Sequence, residues 1–259
     1  MTSPVAGTTR DAVKVEFTIT DTDGTRLPAN LVDTAGLRKG TKIDNVVELF
    51  SIMRAKSAVE RSELVVFVVE AGINAITAQD RKIAHLIATS GRACVIVANK
   101  IDLCPGIENK TLEASLRRGL PQLGFAPVVF ISAEQGINFD GLQTALAHVS
   151  ANRNTEITTG KLNRVLSDAM EITPPPVVST CPLKLFYAAL AGIRPPKIKL
   201  FVNRVDAAAD NYLVFLKKQI RKNFDLEGIP LALEVVERPK KIASIRSSAP
   251  RPGARRKNN

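Results

Sequence analysis

The sequence predicts an α/β protein in two parts, a parallel, doubly wound sheet followed by a smaller α+β domain. Three observations carry the prediction. Strand-like apolar runs alternate with helical patterns from Leu64 to Val149, the polar residues Asp33, Asn99 and Ser132 each follow such a run directly, and both texture and charge change near Asn154.

Taken in order, Val13 to Thr20 alternates with the period of a strand and Arg26 to Val32 runs apolar toward Asp33. Asp23-Gly24 lies between them as a turn signal, so a hairpin is expected. Val46 to Arg61 has apolar residues at helical spacing, and Leu64 to Val69 is a β-branched run of the kind buried in parallel sheets. The alternation continues with Ala78 to Thr89 (helix), Ala93 to Ala98 (strand), Lys110 to Leu120 (helix), Val128 to Ile131 (strand) and Phe139 to Val149 (helix). A parallel sheet with helices on both faces accommodates this order. Ligands of such sheets bind outside the carboxyl ends of the strands, where Asp33, Asn99 and Ser132 fall.

Beyond Asn154 the reading is a helix at Leu162 to Met170, a rigid break at Thr173-Pro174-Pro175-Pro176 and a strand at Leu183 to Leu190. A strand at Lys197 to Asn203, a basic helix at Asn211 to Asn223, a turn at Glu227-Gly228-Ile229-Pro230 and a strand at Leu231 to Val236 complete an α-β-β-α-β order. The expected division is therefore 1–154, 155–238 and a tail, 239–259. The tail holds seven Lys and Arg and no acidic residue, a composition that favours disorder.

Composition narrows the function classes. The chain has 259 residues, 45% of them hydrophobic, enough for ordinary cores and for two domains. No uninterrupted apolar stretch approaches the roughly 20 residues that cross a bilayer, and the start lacks a signal-peptide pattern, so a cytoplasmic location is expected. Three scattered cysteines, Cys94, Cys104 and Cys181, give neither a disulfide framework nor a zinc site. Cys94, in the run Cys94-Val95-Ile96-Val97, reads as a small buried hydrophobe. The net charge of +11 is uneven: residues 1–154 carry 17 Lys+Arg against 16 Asp+Glu, and residues 155–259 carry 19 against 9. Such asymmetry points to a polyanion partner for the second half, RNA rather than membrane or DNA.

The chemistry-bearing segments are Asp33-Thr34-Ala35-Gly36 and Asn99-Lys100-Ile101-Asp102. Asp33 suits a water-mediated contact to Mg²⁺, and the Gly36 N–H, free of side-chain crowding, suits a γ-phosphate. A carboxylate such as Asp102 accepts from the N1–H and amine of guanine, which adenine cannot offer, while the Asn99 amide suits the N7 edge. Lys100 would cover the base with its stem, and a backbone N–H of Ser132-Ala133 would reach the guanine O6. Thr8 and Thr9, before the first hairpin, suit Mg²⁺ coordination once a triphosphate is bound.

Ala6-Gly7-Thr8-Thr9-Arg10-Asp11, Asp33 to Gly40, Asn99 to Asp102 and Ile131-Ser132-Ala133 together resemble the second G domain of the bacterial double-GTPase family called Der or EngA. The basic segment beyond resembles its C-terminal KH-like domain. The resemblance implies an incomplete P-loop NTPase (Ras-like) sheet with a KH-like domain, binding GTP or GDP with Mg²⁺ and, in the GTTRD loop, K⁺ near Ser3, Val5 and Thr8. It implies GTP hydrolysis coupled to maturation of the large ribosomal subunit, with rRNA as partner. Gly36 and Leu37 become the catalytic-loop candidates. Leu37 occupies the position where Ras-like proteins orient water with glutamine, and leucine can form no hydrogen bond to water, so slow hydrolysis assisted by K⁺ or the ribosome is implied.

The departures matter as well. A glycine-rich phosphate loop is expected upstream of Thr8, and Met1 leaves no room for it. The expectation is an N-terminally truncated fragment whose own activity is reduced. An RNA- or ribosome-binding module with a vestigial G domain is the alternative. No GxxG loop occurs between residues 155 and 240, so the second domain is expected to contact RNA through shape and phosphates, using Lys217, Lys218, Arg221 and Lys222 as a basic helix face.

Overall fold

The structure, a computed structural model, describes residues 14–20, 24, 26–32, 55–178 and 181–238. The candidates Thr8, Thr9 and Asp33 to Leu37, and the basic tail from Pro239, lie outside these residues. Strands β1 (Lys14–Thr20) and β2 (Arg26–Val32) pair antiparallel as a two-stranded sheet, with Gly24 at φ +83° in the turn between them. A helical segment α1 (55–61) leads into β3 (Leu64–Glu70). Next come α2 (Ala78–Ser90), β4 (Ala93–Asn99), α3 (Asn109–Gly119), β5 (Val128–Phe130) and α4 (Phe139–Asn152).

The parallel sheet has the order β3-β4-β5. Among the described residues the hairpin pairs only with itself; β1 instead lies against α4. Six consecutive residues of β4, Ala93 to Ala98, are buried, because a parallel strand with helices on both faces has no wet side. Val95 and Val97 pack toward α4, whereas Cys94, Ile96 and Ala98 join Ile87 of α2 and Leu116 of α3. Helix α2 is started by a capping box in which Thr77 and Asp80 each accept from the other's backbone N–H.

Helix α5 (Thr159–Ile172) opens the second part, followed, just after the proline-rich break at Thr173 to Pro176, by an antiparallel pair of β6 (Val177–Val178) and β7 (Cys181–Pro182). Then follow β8 (Leu185–Ile193), β9 (Pro196–Val202), α6 (Asp210–Asn223) and β10 (Ala232–Glu237), with sheet order β10-β9-β8. Helices α5 and α6 cover one face of this sheet through Leu162, Leu166, Leu216 and Ile220, packed on Ile198, Leu200 and Val202.

One continuous apolar cluster links Val95 and Val97 through Leu146 and Val149 of α4 to Leu226 and Ile229 in the loop after α6. That loop is stitched into the first sheet: Cys94 N–H donates to Gly228 O at 2.9 Å and Gly228 N–H to Phe125 O at 2.8 Å. Asn152 Nδ2 donates to Asp225 Oδ1 and Glu227 O, and Thr155 Oγ1 to Asp225 O. The expectation of Arg221 on a free basic face is corrected here. Its guanidinium donates to Leu226 O and Ile229 O at 2.6 Å each and lies over Phe125. Burial lowers its pKa to about 10, which still leaves it charged at neutral pH.

Candidate guanine-nucleotide site

The site lies where β4 and β5 end. Strand β4 is fixed by burial up to Ala98, so Asn99 is the first residue free to turn its polar side chain out of the sheet. Its carbonyl still belongs to the ladder, accepting from Ala71 N–H at 2.7 Å. Its side-chain Oδ1 accepts twice, from Lys100 N–H at 2.8 Å and from Ala133 N–H at 2.9 Å. Among the described residues Asn99 Nδ2 has no hydrogen-bond acceptor, which leaves it as an unspent donor.

Lys100 has φ 66° and ψ 38°, a left-handed conformation uncommon for a residue with a side chain. The reversal sends the chain into a 3₁₀ turn at Ile101–Leu103, tied to the neighbouring loop by Ile101 N–H donating to Ile131 O at 3.1 Å. The Lys100 ammonium reaches Glu70 Oε2 at 3.1 Å. Both partners are half-exposed, so the pair adds little stability; its effect is to fix the course of the lysine stem. Glu70 was missed from the sequence, although register could have found it: it ends β3 directly opposite Asn99.

Asp102 follows inside the turn. Its Oδ1 is shut off from solvent and has no hydrogen-bond partner among the described residues. A carboxylate oxygen without donors in such a place costs on the order of 1–3 kcal/mol, and native proteins rarely leave one unexplained. The neighbouring loop is held by its own bonds: Ser132 is fully buried, its Oγ accepts from Gln135 N–H, and its backbone exchanges bonds with Ile137. Asn138 at φ 61° donates from Nδ2 to Phe130 O. Neither N–H expected to serve a guanine O6 is free as the loop stands. Ser132 N–H donates to Ile137 O and Ala133 N–H to Asn99 Oδ1.

The arrangement brings Asn99, Lys100, Ile101, Asp102, Ser132 and Ala133 to one edge of the sheet. It presents a planar amide donor, a half-buried carboxylate and a lysine stem, a set matched to a flat heterocycle with adjacent N–H donors. No group of three or more His, Cys, Asp or Glu suited to a metal occurs among the described residues, and no helix there is long and apolar enough to cross a membrane.

Residues 1–100 match the family described as 50S ribosome-binding GTPase, and residues 156–235 match the KH-domain-like segment of EngA bacterial GTPase enzymes. GTPase Der of Protochlamydia amoebophila is 35% identical over 95% of this chain and 49% of its own length. GTPase Der of Streptococcus uberis is 38% identical over 89% of this chain and 52% of its own. The chain thus spans about half the length of the curated relatives it matches. Among solved structures, Aquifex aeolicus Era bound to GDP.AlF4- aligns with 91% of this chain and 83% of its own, with 21% identity and a TM-score of 0.41. By sequence the chain is similar to GTPases of the Der (EngA) family, in the G region and through the C-terminal KH-like domain.

Proposed function

We propose that the loops after β4 and β5 bind the guanine base of GTP or GDP. The buried, unpartnered Asp102 Oδ1 carries this reading. In the proposed complex the carboxylate accepts from guanine N1–H and the exocyclic amine, Asn99 Nδ2 donates to the N7 edge, and the Lys100 stem, directed by Glu70, covers the ring. Adenine would leave Asp102 unpaired, the condition under which a site discriminates most strongly. The test is a titration of the chain with labelled GDP and GTP beside Asp102→Asn. The variant should lose guanine nucleotides and gain xanthine nucleotides; unchanged preference would remove the reading.

The phosphates and Mg²⁺ would be met by Asp33 to Gly36 and by Thr8 and Thr9, with K⁺ near Thr8, as the family resemblance implies. Hydrolysis would be slow without an external group, since Leu37 offers water no hydrogen bond. The basic second half supports RNA as the partner, and the family resemblance implies that of the large ribosomal subunit. The alternative, an RNA-binding module with a vestigial G domain, predicts RNA affinity indifferent to guanine nucleotides.

A further inference from the structure

The second sheet buries one face and leaves the other open. Along β9, Pro196, Ile198, Leu200 and Val202 are buried, while Lys197, Lys199 and Phe201 point the opposite way. The register places Tyr187 and Val236 on either side of Phe201, Ala189 and Glu234 beside Lys199, and Gly192 and Ala232 beside Lys197. Small residues thus flatten the surface around two lysines, and the aromatic residues gather at one end.

That end is specially built. The register of β8 shifts between Leu185 and Tyr187, so Phe186 is an extra residue in the strand. Such a bulge re-aims neighbouring side chains, and here two consecutive aromatics, Phe186 and Tyr187, are 38% and 43% exposed. The Tyr187 and Phe201 rings stack at 4.3 Å with 17° between their planes. Arg238 Cζ lies 5.0 Å from the Phe186 ring centre and Lys184 Nζ 5.7 Å from it. Two cations, Arg238 and Lys184, therefore flank Phe186, and Lys199 and Lys197 continue along the open face, where Glu234 lies with its carboxylate 3.8 Å from Lys199. That exposed pair is weak.

We infer that this open face is a stacking platform for consecutive bases of single-stranded RNA. One base extends the Tyr187–Phe201 stack, a second lies on Phe186 between Arg238 and Lys184, and the backbone between them runs toward Lys199 and Lys197. Every base has a π-face, so the platform needs no GxxG grip and reads little sequence. A duplex keeps its bases stacked on one another and offers phosphates and 2′-hydroxyls but no base faces. Glu234, which repels a phosphate, can accept from a ribose 2′-OH, a group that DNA lacks. The inference rests on reading the basic second half as an RNA contact and is independent of the guanine site.

The sequence supplies a direct reporter. The chain has two tyrosines and no tryptophan, and Tyr212 is buried with its hydroxyl donating to Thr173 O. Oligoadenylate RNA added to the full chain should quench Tyr187 emission, while a duplex RNA of equal length should not. Tyr187→Phe should keep the affinity and abolish the quenching. Tyr187→Ala and Phe186→Ala should each weaken binding of an end-labelled oligoadenylate about tenfold or more with the salt dependence unchanged. Lys197→Gln should instead lower the salt slope by about one unit.

Equal affinity for the duplex, with the aromatic variants unaffected, would overturn the platform and leave an RNA contact through phosphates alone. Equal or tighter binding of oligodeoxyadenylate would overturn the choice of RNA. Binding of neither single strand nor duplex would overturn the platform together with the RNA reading of this half.

Discussion

Asn99 Oδ1 accepts the backbone N–H of Ala133 at 2.9 Å, joining the loop after β4 to the loop after β5 across 34 residues of sequence. The same oxygen holds Lys100 N–H at the left-handed turn that presents Asp102. Asn99→Ala removes both bonds and should cost about 1–2 kcal/mol in denaturant unfolding, with about tenfold weaker guanine-nucleotide binding. Asn99→Asp keeps the accepting oxygen and loses the amide donor, so it should lose nucleotide affinity while keeping most of the stability. Equal instability of the two variants would show that the oxygen does not tie the loops.

The second anchor is at the other end of the sheet. Gly228 has φ +75°, and a Cβ there would lie 2.5 Å from Val149 Cγ1. Gly228→Ala therefore combines backbone strain with a clash in a packed core and should destabilise by about 3 kcal/mol. The carbonyl of Gly228 holds Cys94 N–H, so exchange of that amide hydrogen should accelerate in the variant. Adding Val149→Ala should recover the steric part and leave the backbone part. A fully stable Gly228→Ala would mean that this loop yields without cost.

These two anchors differ in how far the sequence revealed them. The β4 end was legible because a doubly buried strand is a continuous apolar run and the first polar residue after it must turn out of the sheet. Asn99 could be read from that alone, and Asp102 from its place in the Asn99-Lys100-Ile101-Asp102 segment. Gly228 was read only as a turn, since its contact with Val149 depends on how α4 meets the loop after α6. Arg221 was misread for a related reason. Its spacing on α6 puts it among lysines, but the carbonyls of Leu226 and Ile229 draw it inward. The bulge at Phe186 also escaped detection, because alternation assigns neighbouring residues to opposite faces and an inserted residue leaves no compositional trace.

Asn163 shows a further contact of this hidden kind. Its Oδ1 accepts from Ala188 N–H at 2.7 Å and its Nδ2 donates to Ala188 O at 2.8 Å, so a side chain on α5 supplies both bonds that a neighbouring strand would give β8. Ala188 is fully buried. Asn163→Leu leaves two buried backbone groups unpaired and should cost about 2–4 kcal/mol by denaturant unfolding. Asn163→Asp keeps the acceptor but sets a carboxylate oxygen against Ala188 O, and should also destabilise. A change below about 0.5 kcal/mol in both would show that water replaces the amide.

Cys94 gives the prediction with the clearest pH dependence. The thiol is fully buried among Ile87, Ile96 and Leu116, and burial pushes its pKa from 9.0 up to about 12. A thiol that holds its proton in the folded chain and releases it in the unfolded chain supports the fold at neutral pH. That support is lost as pH rises from 9.0 toward about 12, at up to about 1.4 kcal/mol per pH unit. The Cys94→Ala chain should be less stable at neutral pH, because it leaves a small cavity, but its stability should fall less steeply with alkali. Iodoacetamide should leave Cys94 unmodified in the native chain and alkylate it in denaturant, since the thiolate is the reactive species. Parallel pH–stability curves for the two chains, or native alkylation at Cys94, would mean that the strand opens to water far more readily than its packing implies.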